Sequence, residues 1–410
     1  MFKGTFVFTF YTNFNLKKIT TIGCSPIFKF ICKSNGCKWK KNLETSKGWK
    51  GRLKELPIKM VAGFILSGLS YENYSEVFHV ADLQTCSSKI YTDTMKVLLK
   101  KGNLLLDEMF KINQEKTLRS DIIIATDGAW SHRGWSANEC CVGCFDLYGG
   151  CLLDMEILIR RLEGDNYGNY EGASSGMEGE GIRRICRRLL KACIRVGTVL
   201  HDGDGVTIGI VKEFFPDAEE INDGGHAGKN FRKAVIKLAK KFTGVKKMGE
   251  VCLKAFRYAM TQCDSNPKKF NQLMWQQYKH FCDLNHEHCT HAIDYKPKSW
   301  NWVVDLESRE ALKKEFQKVV ERSEFYCKNL SSNICESFAN SRTKYTDKRL
   351  HQRLQFQLGC IMAGLVQCAR KEDNFNWKKL LLEGLDINSS TNMEKNFEAE
   401  IQLQLKNMDR

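Results

Sequence analysis

Between residues 58 and 118, apolar side chains recur at intervals of three and four, as in "KMVAGFILSGLS" and "TMKVLLKKGNLLLDEMFKI". That spacing predicts helices with one face turned to a core. The period then changes. "RSDIIIATDGAW" is a branched apolar run and predicts a buried strand ending at Asp127. "ECCVGCFDLY" and "GCLLDMEILI" predict two more strands, joined by a turn at Gly149 and Gly150. After a Gly-rich loop, "IRRICRRLLKACIRVG" places Ile185, Leu189 and Cys193 or Ile194 on one helical face. Arg183, Arg184, Arg187, Arg188 and Lys191 cover much of the rest. Strand "TVLHD" and helix "VTIGIVKEFF" follow. From His226 onward the pattern is helical again and strongly basic. "GKNFRKAVIKLAKKFTGVKK" carries eight Lys and Arg and no acid.

These shifts divide the chain into a basic, irregular N-terminal arm (1–57), a helical region (58–118), a sheet-bearing core (119–245) and a helical insertion (246–330). Two further helices complete the core (331–384), and a polar tail, expected to fray, closes the chain (385–410). No internal repeat is present. The order βββαβα, with acids ending the first and fourth strands, predicts an α/β fold. Its centre is a ribonuclease-H-like mixed sheet flanked by helices, with a large α-helical insertion and a helical N-terminal region.

Composition adds partners. The 410 residues are 42% hydrophobic and carry a net charge of +15, which favours a polyanionic partner. No secretory signal and no apolar run of membrane-spanning length is evident. The 18 cysteines are therefore expected to be reduced, as small buried hydrophobes or metal ligands. Cys141 and Cys144 match C-x-x-C, but three residues along a strand point to opposite faces, which predicts core packing. Cys24, Cys32 and Cys37 offer half of a degenerate zinc-binding segment. Their number is odd and no nearby histidine completes the site, so an irregular basic arm is the preferred expectation.

The candidate chemistry lies in three acids. Two-metal cleavage of a phosphodiester needs hard oxygen ligands converging from separate elements on ions about 4 Å apart. Asp127 and Asp202 end two strands that would be neighbours, and Glu336 in "SNICESF" supplies a third acid from a helix. Asp204 competes with Asp202, since either could cap the next helix. Glu178 fits a capping box, Ser175-Gly-Met-Glu178, or a fourth acid beside the metals. Asp223 and His226 form an accessory pair.

The sequence resembles the Mutator-like transposases of the DDE superfamily. Asp202-Gly203, "EFFP", Asp223-x-x-His226 and Lys229-Asn230 stand where that family has D-G, F-P, C-x-x-H and R-N. Asp at 223 and Lys at 229 depart from the pattern. "DGAWSHRGW", "GASSGMEGEG" and "NICESFANSRTKY" resemble further family blocks, over roughly residues 60–370. The resemblance implies Asp127, Asp202 and Glu336 as catalytic ligands of two Mg²⁺ or Mn²⁺ ions. It also implies DNA cleavage with strand transfer, a nuclear location and a homo-oligomer pairing transposon ends on double-stranded DNA.

Two basic faces are the expected DNA contacts: Arg183, Arg184, Arg187 and Arg188, then Lys229, Arg232, Lys233 and Lys237. A Cys/His cluster at 280–291 offers Cys282, His286 and Cys289 as ligands of a structural Zn²⁺. Two other readings stay open. One is a domesticated DNA-binding protein that no longer turns over. The other is a zinc-braced interaction protein whose acids merely cap turns.

Overall fold

The computed structural model describes residues 14–22, 25–33, 35, 38–44, 46–48, 54–117, 121–132, 137–164, 167–203, 205–282, 287, 303, 305–346, 353–372, 375–387 and 390–408. The chain forms two compact units, Met1–Met109 with Asn340–Arg410, and Phe110–Ala339.

The first unit opens with β1 (Phe14–Ile22), β2 (Ser25–Cys32) and β3 (Lys40–Glu44), an antiparallel sheet in that order. An irregular arm is the sequence expectation here, and the sheet corrects it. Phe28, Phe30 and Cys32 do recur at period two, but Lys and Thr dilute the alternation in "FNLKKITTI". Helices α1 (Glu55–Leu66), α2 (Tyr71–Val80) and α3 (Ser88–Thr117) follow, where helical spacing predicts them. Ser70 and Asn73 form a capping box on α2. Behind it Tyr74 is fully buried, edge-on to Phe64 at 5.2 Å. Its hydroxyl accepts the Cys86 N–H at 3.0 Å.

In the second unit, β4 (Ile122–Trp130), β5 (Glu139–Asp146) and β6 (Cys151–Ile159) make an antiparallel meander. Then come α4 (Met177–Lys191), β7 (Val196–His201), α5 (Gly205–Phe214), β8 (Glu219–Asn222) and α6 (Gly224–Leu238). The sheet order is β6-β5-β4-β7-β8, with β7 parallel to both β4 and β8. This is the ribonuclease-H-like mixed sheet the element order predicts, with one strand more. β8 escapes sequence reading because "EEIN" is four residues long and half acidic. Its pairing with β7, and the burial of Ile221 and Asn222, hold it in place. A second difference concerns β4, which continues past Asp127 to Trp130. Its parallel pairing with β7 stops at Ala125, but antiparallel pairing with β5 runs on to Trp130–Cys140.

One hydrophobic core fills the space between the sheet and α4 and α5. Ile122, Ile124, Val142, Ile185, Leu189, Val199 and Val211 contribute to it. Cys140 and Cys144 join this core, whereas Cys141 is buried outside it, as the strand period requires. A second core lies among α6, α7 (Met248–Gln262), α8 (Pro267–Cys282), α9 (Leu306–Val320) and α10 (Ser323–Tyr326). Phe256 meets Phe270 and Tyr326 edge-on at 5.7 and 5.4 Å, and Phe231 meets Phe316 at 5.1 Å. Such edge-to-face pairs add to the burial of the rings themselves.

Helix α11 (Asn333–Tyr345) carries the chain on, and α12 (Arg353–Ala369), α13 (Trp377–Glu383) and α14 (Thr391–Met408) complete the first unit. The expected frayed tail is thus a helix. Its composition is polar, but Ile401 is buried and Glu400 reaches the buried Lys378 ammonium at 2.6 Å. Burial lowers the Lys378 pKa, and the Glu400 carboxylate opposes that shift. Among the described residues, no helix is long and apolar enough to cross a membrane.

Candidate active site

Three separate elements bring the three predicted acids together. Ala125 of β4 pairs with Leu200 of β7, so Asp127 and Asp202 each lie two residues beyond a neighbouring pair. Asp127 remains inside the sheet, paired with Gly143 of β5. Asp202 stands just past the end of β7. Glu336 comes from the first turn of α11. That helix packs on β5 through Phe338, which meets Phe145 edge-on at 5.7 Å.

His226, in the first turn of α6, sits at the centre. Its Nδ1 lies 2.8 Å from Asp202 Oδ2 and its Nε2 lies 3.2 Å from Glu336 Oε1. Lys229 Nζ, one turn on, is 3.7 Å from the same Glu336 oxygen. Asp127 feels its companions strongly. Burial, then the Asp202 charge, pushes its carboxyl up to about 6, with a smaller push from Glu336; the Gly128 N–H and His226 act the other way. Cys335, buried behind Glu336, is pushed well above the usual thiol range by burial and then by Asp127 and Asp202.

Asp223 has a different task from the one its family position suggests. Its Oδ1 caps α6 by accepting the His226 N–H at 2.8 Å. Its Oδ2 accepts the Ser332 N–H at 2.5 Å and the Ser332 hydroxyl at 2.6 Å. Ser332 directly precedes α11. One buried carboxylate therefore joins the start of the helix bearing His226 to the start of the helix bearing Glu336. Burial alone would raise its pKa, but the Ser332 and His226 donors hold it below the usual carboxylate value.

Glu178 does not form the anticipated capping box. Helix α4 begins after Gly176, with no side-chain cap. The Glu178 carboxylate instead accepts the Gly128 N–H at 3.1 Å, beside Asp127, whose own Oδ1 accepts that N–H at 2.8 Å. A Cβ on Gly128 would come within 2.8 Å of the Glu178 carboxyl carbon. Of the remaining site candidates, Asp204, His286 and Cys289 lie outside the described residues. Cys282 is buried in the helical core.

The predicted basic faces differ from one another. On α4, Arg188 holds Asp154 through two hydrogen bonds of 2.8 and 3.0 Å and reaches Glu156 at 2.6 Å. Arg184 bonds Glu180 and Glu156, and Arg183 bonds Glu213. Carboxylates of β6, an edge strand, hold Arg184 and Arg188, and those of α4 and α5 hold Arg183; Arg187 is exposed. On α6, Arg232 pairs with Glu250. Lys229, Lys233 and Lys237 recur every four residues and are exposed. His201 and Glu220, described below, are missing from the sequence candidates, because neither lies in a recognisable motif.

The model of the Mutator-like transposase family matches residues 5–294. The chain belongs to the Mutator-like transposase family. The matched span contains Asp127, Asp202 and His226 of this Mutator-like chain, and Glu336 lies beyond it. A search of curated proteins finds no match to it.

A divalent cation can be tested against this donor set. Burial, then the Asp202 charge with a smaller push from Glu336, raises the Asp127 carboxyl to about 6, so these carboxylates repel one another. A hard cation relieves that repulsion, so the chemistry fits. Among the described residues, no group of three or more acids, histidines and cysteines is drawn tightly enough to enclose a metal ion. His226 stands between Asp202 and Glu336, within hydrogen-bond distance of both.

Proposed function

We propose that this chain is a DDE-type transposase, cutting DNA strands at the ends of a mobile element and joining them to target DNA. The observation that supports this best is the meeting of Asp127, Asp202 and Glu336 around His226, from positions spread over more than half of the chain. Asp127, Asp202 and Glu336 are the residues that would hold Mg²⁺ or Mn²⁺. When bound, such ions supply Lewis acidity and offset the charge that develops on a phosphoryl group under attack.

The chain's own residues have separable tasks. Asp127 is held in register by the ladder to β5, and its backbone neighbour Gly128 is fixed by Glu178. Glu336 is held by Asp223 through Ser332 and steadied by Lys229. His226 bridges Asp202 and Glu336, and a cation at the acids would compete with it for both carboxylates. Lys229, Lys233 and Lys237 form a line along α6 that begins at the acids, suited to DNA phosphates. Pairing of two ends calls for a homo-oligomer, and chromosomal DNA as substrate implies action in the nucleus.

The test is a Mn²⁺-dependent nicking assay on element-end DNA with Asp127→Ala, Asp202→Ala and Glu336→Gln. Each variant should lose nicking while keeping DNA affinity within about threefold, since base-independent affinity comes from the lysines. Undiminished nicking in the two aspartate variants would refute the assignment.

A further inference from the structure

Asp202 lies outside the strand ladder, so something else must set its direction. His201, the last residue of β7, is only 2% exposed. The Gly203 N–H donates to its Nδ1 at 3.1 Å, which closes a tight turn over Asp202. An amide N–H can only donate, so Nδ1 is the acceptor and Nε2 carries the ring proton. That proton points at Glu220 Oε1 on the neighbouring strand β8, 3.0 Å away. The tautomer is thus chosen by both partners at once.

The turn admits little else. Gly203 has φ +91, a left-handed conformation that suits glycine. A Cβ there would meet the Asn222 amide oxygen at 2.9 Å. Asn222 belongs to the same arrangement. Its Oδ1 accepts from Arg322 Nη2 at 3.2 Å, and its Nδ2 reaches Glu220 Oε1 at 3.5 Å. A line of hydrogen bonds therefore runs from Arg322 after α9, through Asn222 and Glu220, to the His201 ring and the Gly203 backbone.

We propose that His201 is a positioning residue for Asp202: its Nδ1 lone pair fixes the 201–203 turn, and Glu220 keeps that lone pair available. The proposal rests on Asp202 being a metal ligand. It also gives β8 a role, since the strand carries the half-buried Glu220 and the buried Asn222 two residues apart, on one face. Groups behind a metal ligand commonly change metal affinity by about 10–100-fold when removed.

Two substitutions separate the ring nitrogens. Asparagine places an amide oxygen near where Nδ1 lies, and glutamine places its amide near Nε2. Mn²⁺ affinity of the full chain, measured by calorimetry, should fall by about tenfold or more in His201→Gln and His201→Ala. His201→Asn should stay within about threefold of the native chain. Thermal midpoints of the three variants, read alongside, separate loss of folding from loss of aim. Equal loss in His201→Asn and His201→Gln, or native affinity in His201→Ala, overturns the positioning role.

A second measurement stands apart from metal binding. In the ¹⁵N-histidine-labelled chain, the resonance lost in His201→Asn should have the shift of an unprotonated Nδ1. A protonated Nδ1 there overturns the proposal directly. If the native chain shows that tautomer but Asp127→Ala and Asp202→Ala leave Mn²⁺ binding unchanged, the metal reading of the acids fails, and with it the task assigned to His201.

Discussion

Asp127 carries a conflict between stability and function that a single isosteric change exposes. Its folded pKa, about 6, stands above the ordinary 3.8, owing first to burial and then to Asp202. The folded state therefore binds its proton more tightly than the unfolded chain does. Stability from this group is fully present below pH 3.8 and is lost as pH rises through 6. Above that, metal-free protein bears a penalty of order 1–3 kcal/mol, the smaller figure allowing for partial solvent access. Asp127→Asn should raise the thermal midpoint of metal-free protein at pH 7.5, leave it unchanged near pH 4, and abolish nicking. Parallel melts at the two pH values check this. An equal shift at both would assign the effect to packing.

At the scale of elements, Asp223 matters through what it joins. Removing it frees the buried Ser332 N–H and hydroxyl as well as the α6 cap. Loss of a cap costs about 1 kcal/mol, and hydrogen bonds to a buried charge about 1.5–3 kcal/mol. Asp223→Ala should therefore destabilise the chain by about 2–4 kcal/mol in chemical denaturation. It should also weaken Mn²⁺ binding, because Glu336 is no longer tied to His226. The sequence made part of this legible. The strands that carry the chain to Asp127 and Asp202 follow from apolar runs, and Glu336 from its block, although β4 runs on past Asp127 to Trp130. The Asp223–Ser332 tie joins residues more than a hundred apart, and no periodicity records such a link. β8 was hidden for another reason. It is held by neighbours on one side and owes little to its own composition. The N-terminal sheet was obscured by lysines that interrupt its alternation.

For the molecule as a whole, charge totals mislead unless partners are counted. The net +15 suggested two DNA-binding faces of equal standing. On α4, however, Arg188 and Arg184 are engaged by Asp154, Glu156 and Glu180. Asp154 is buried, so taking Arg188 away strands a charge. Arg188→Ala should lower the thermal midpoint by several degrees and change DNA affinity little. Lys233→Ala and Lys237→Ala should do the reverse. Each should weaken binding at all sequences and reduce the slope of log affinity against log salt by about 1. Titrations at several salt concentrations distinguish the cases, and a flat slope in the lysine variants would remove α6 from the interface.

The buried thiols have a practical consequence. Among the described cysteines, Cys193 is exposed and Cys32 partly so, while the others are enclosed. Burial raises several of them, among them Cys144, Cys252 and Cys335, away from the reactive thiolate. A gentle alkylating reagent will therefore mark Cys193 early and the interior only as each unit opens. The pattern of marked peptides over time becomes a clock for which part of the chain loosens first, with no cysteine engineered into the chain.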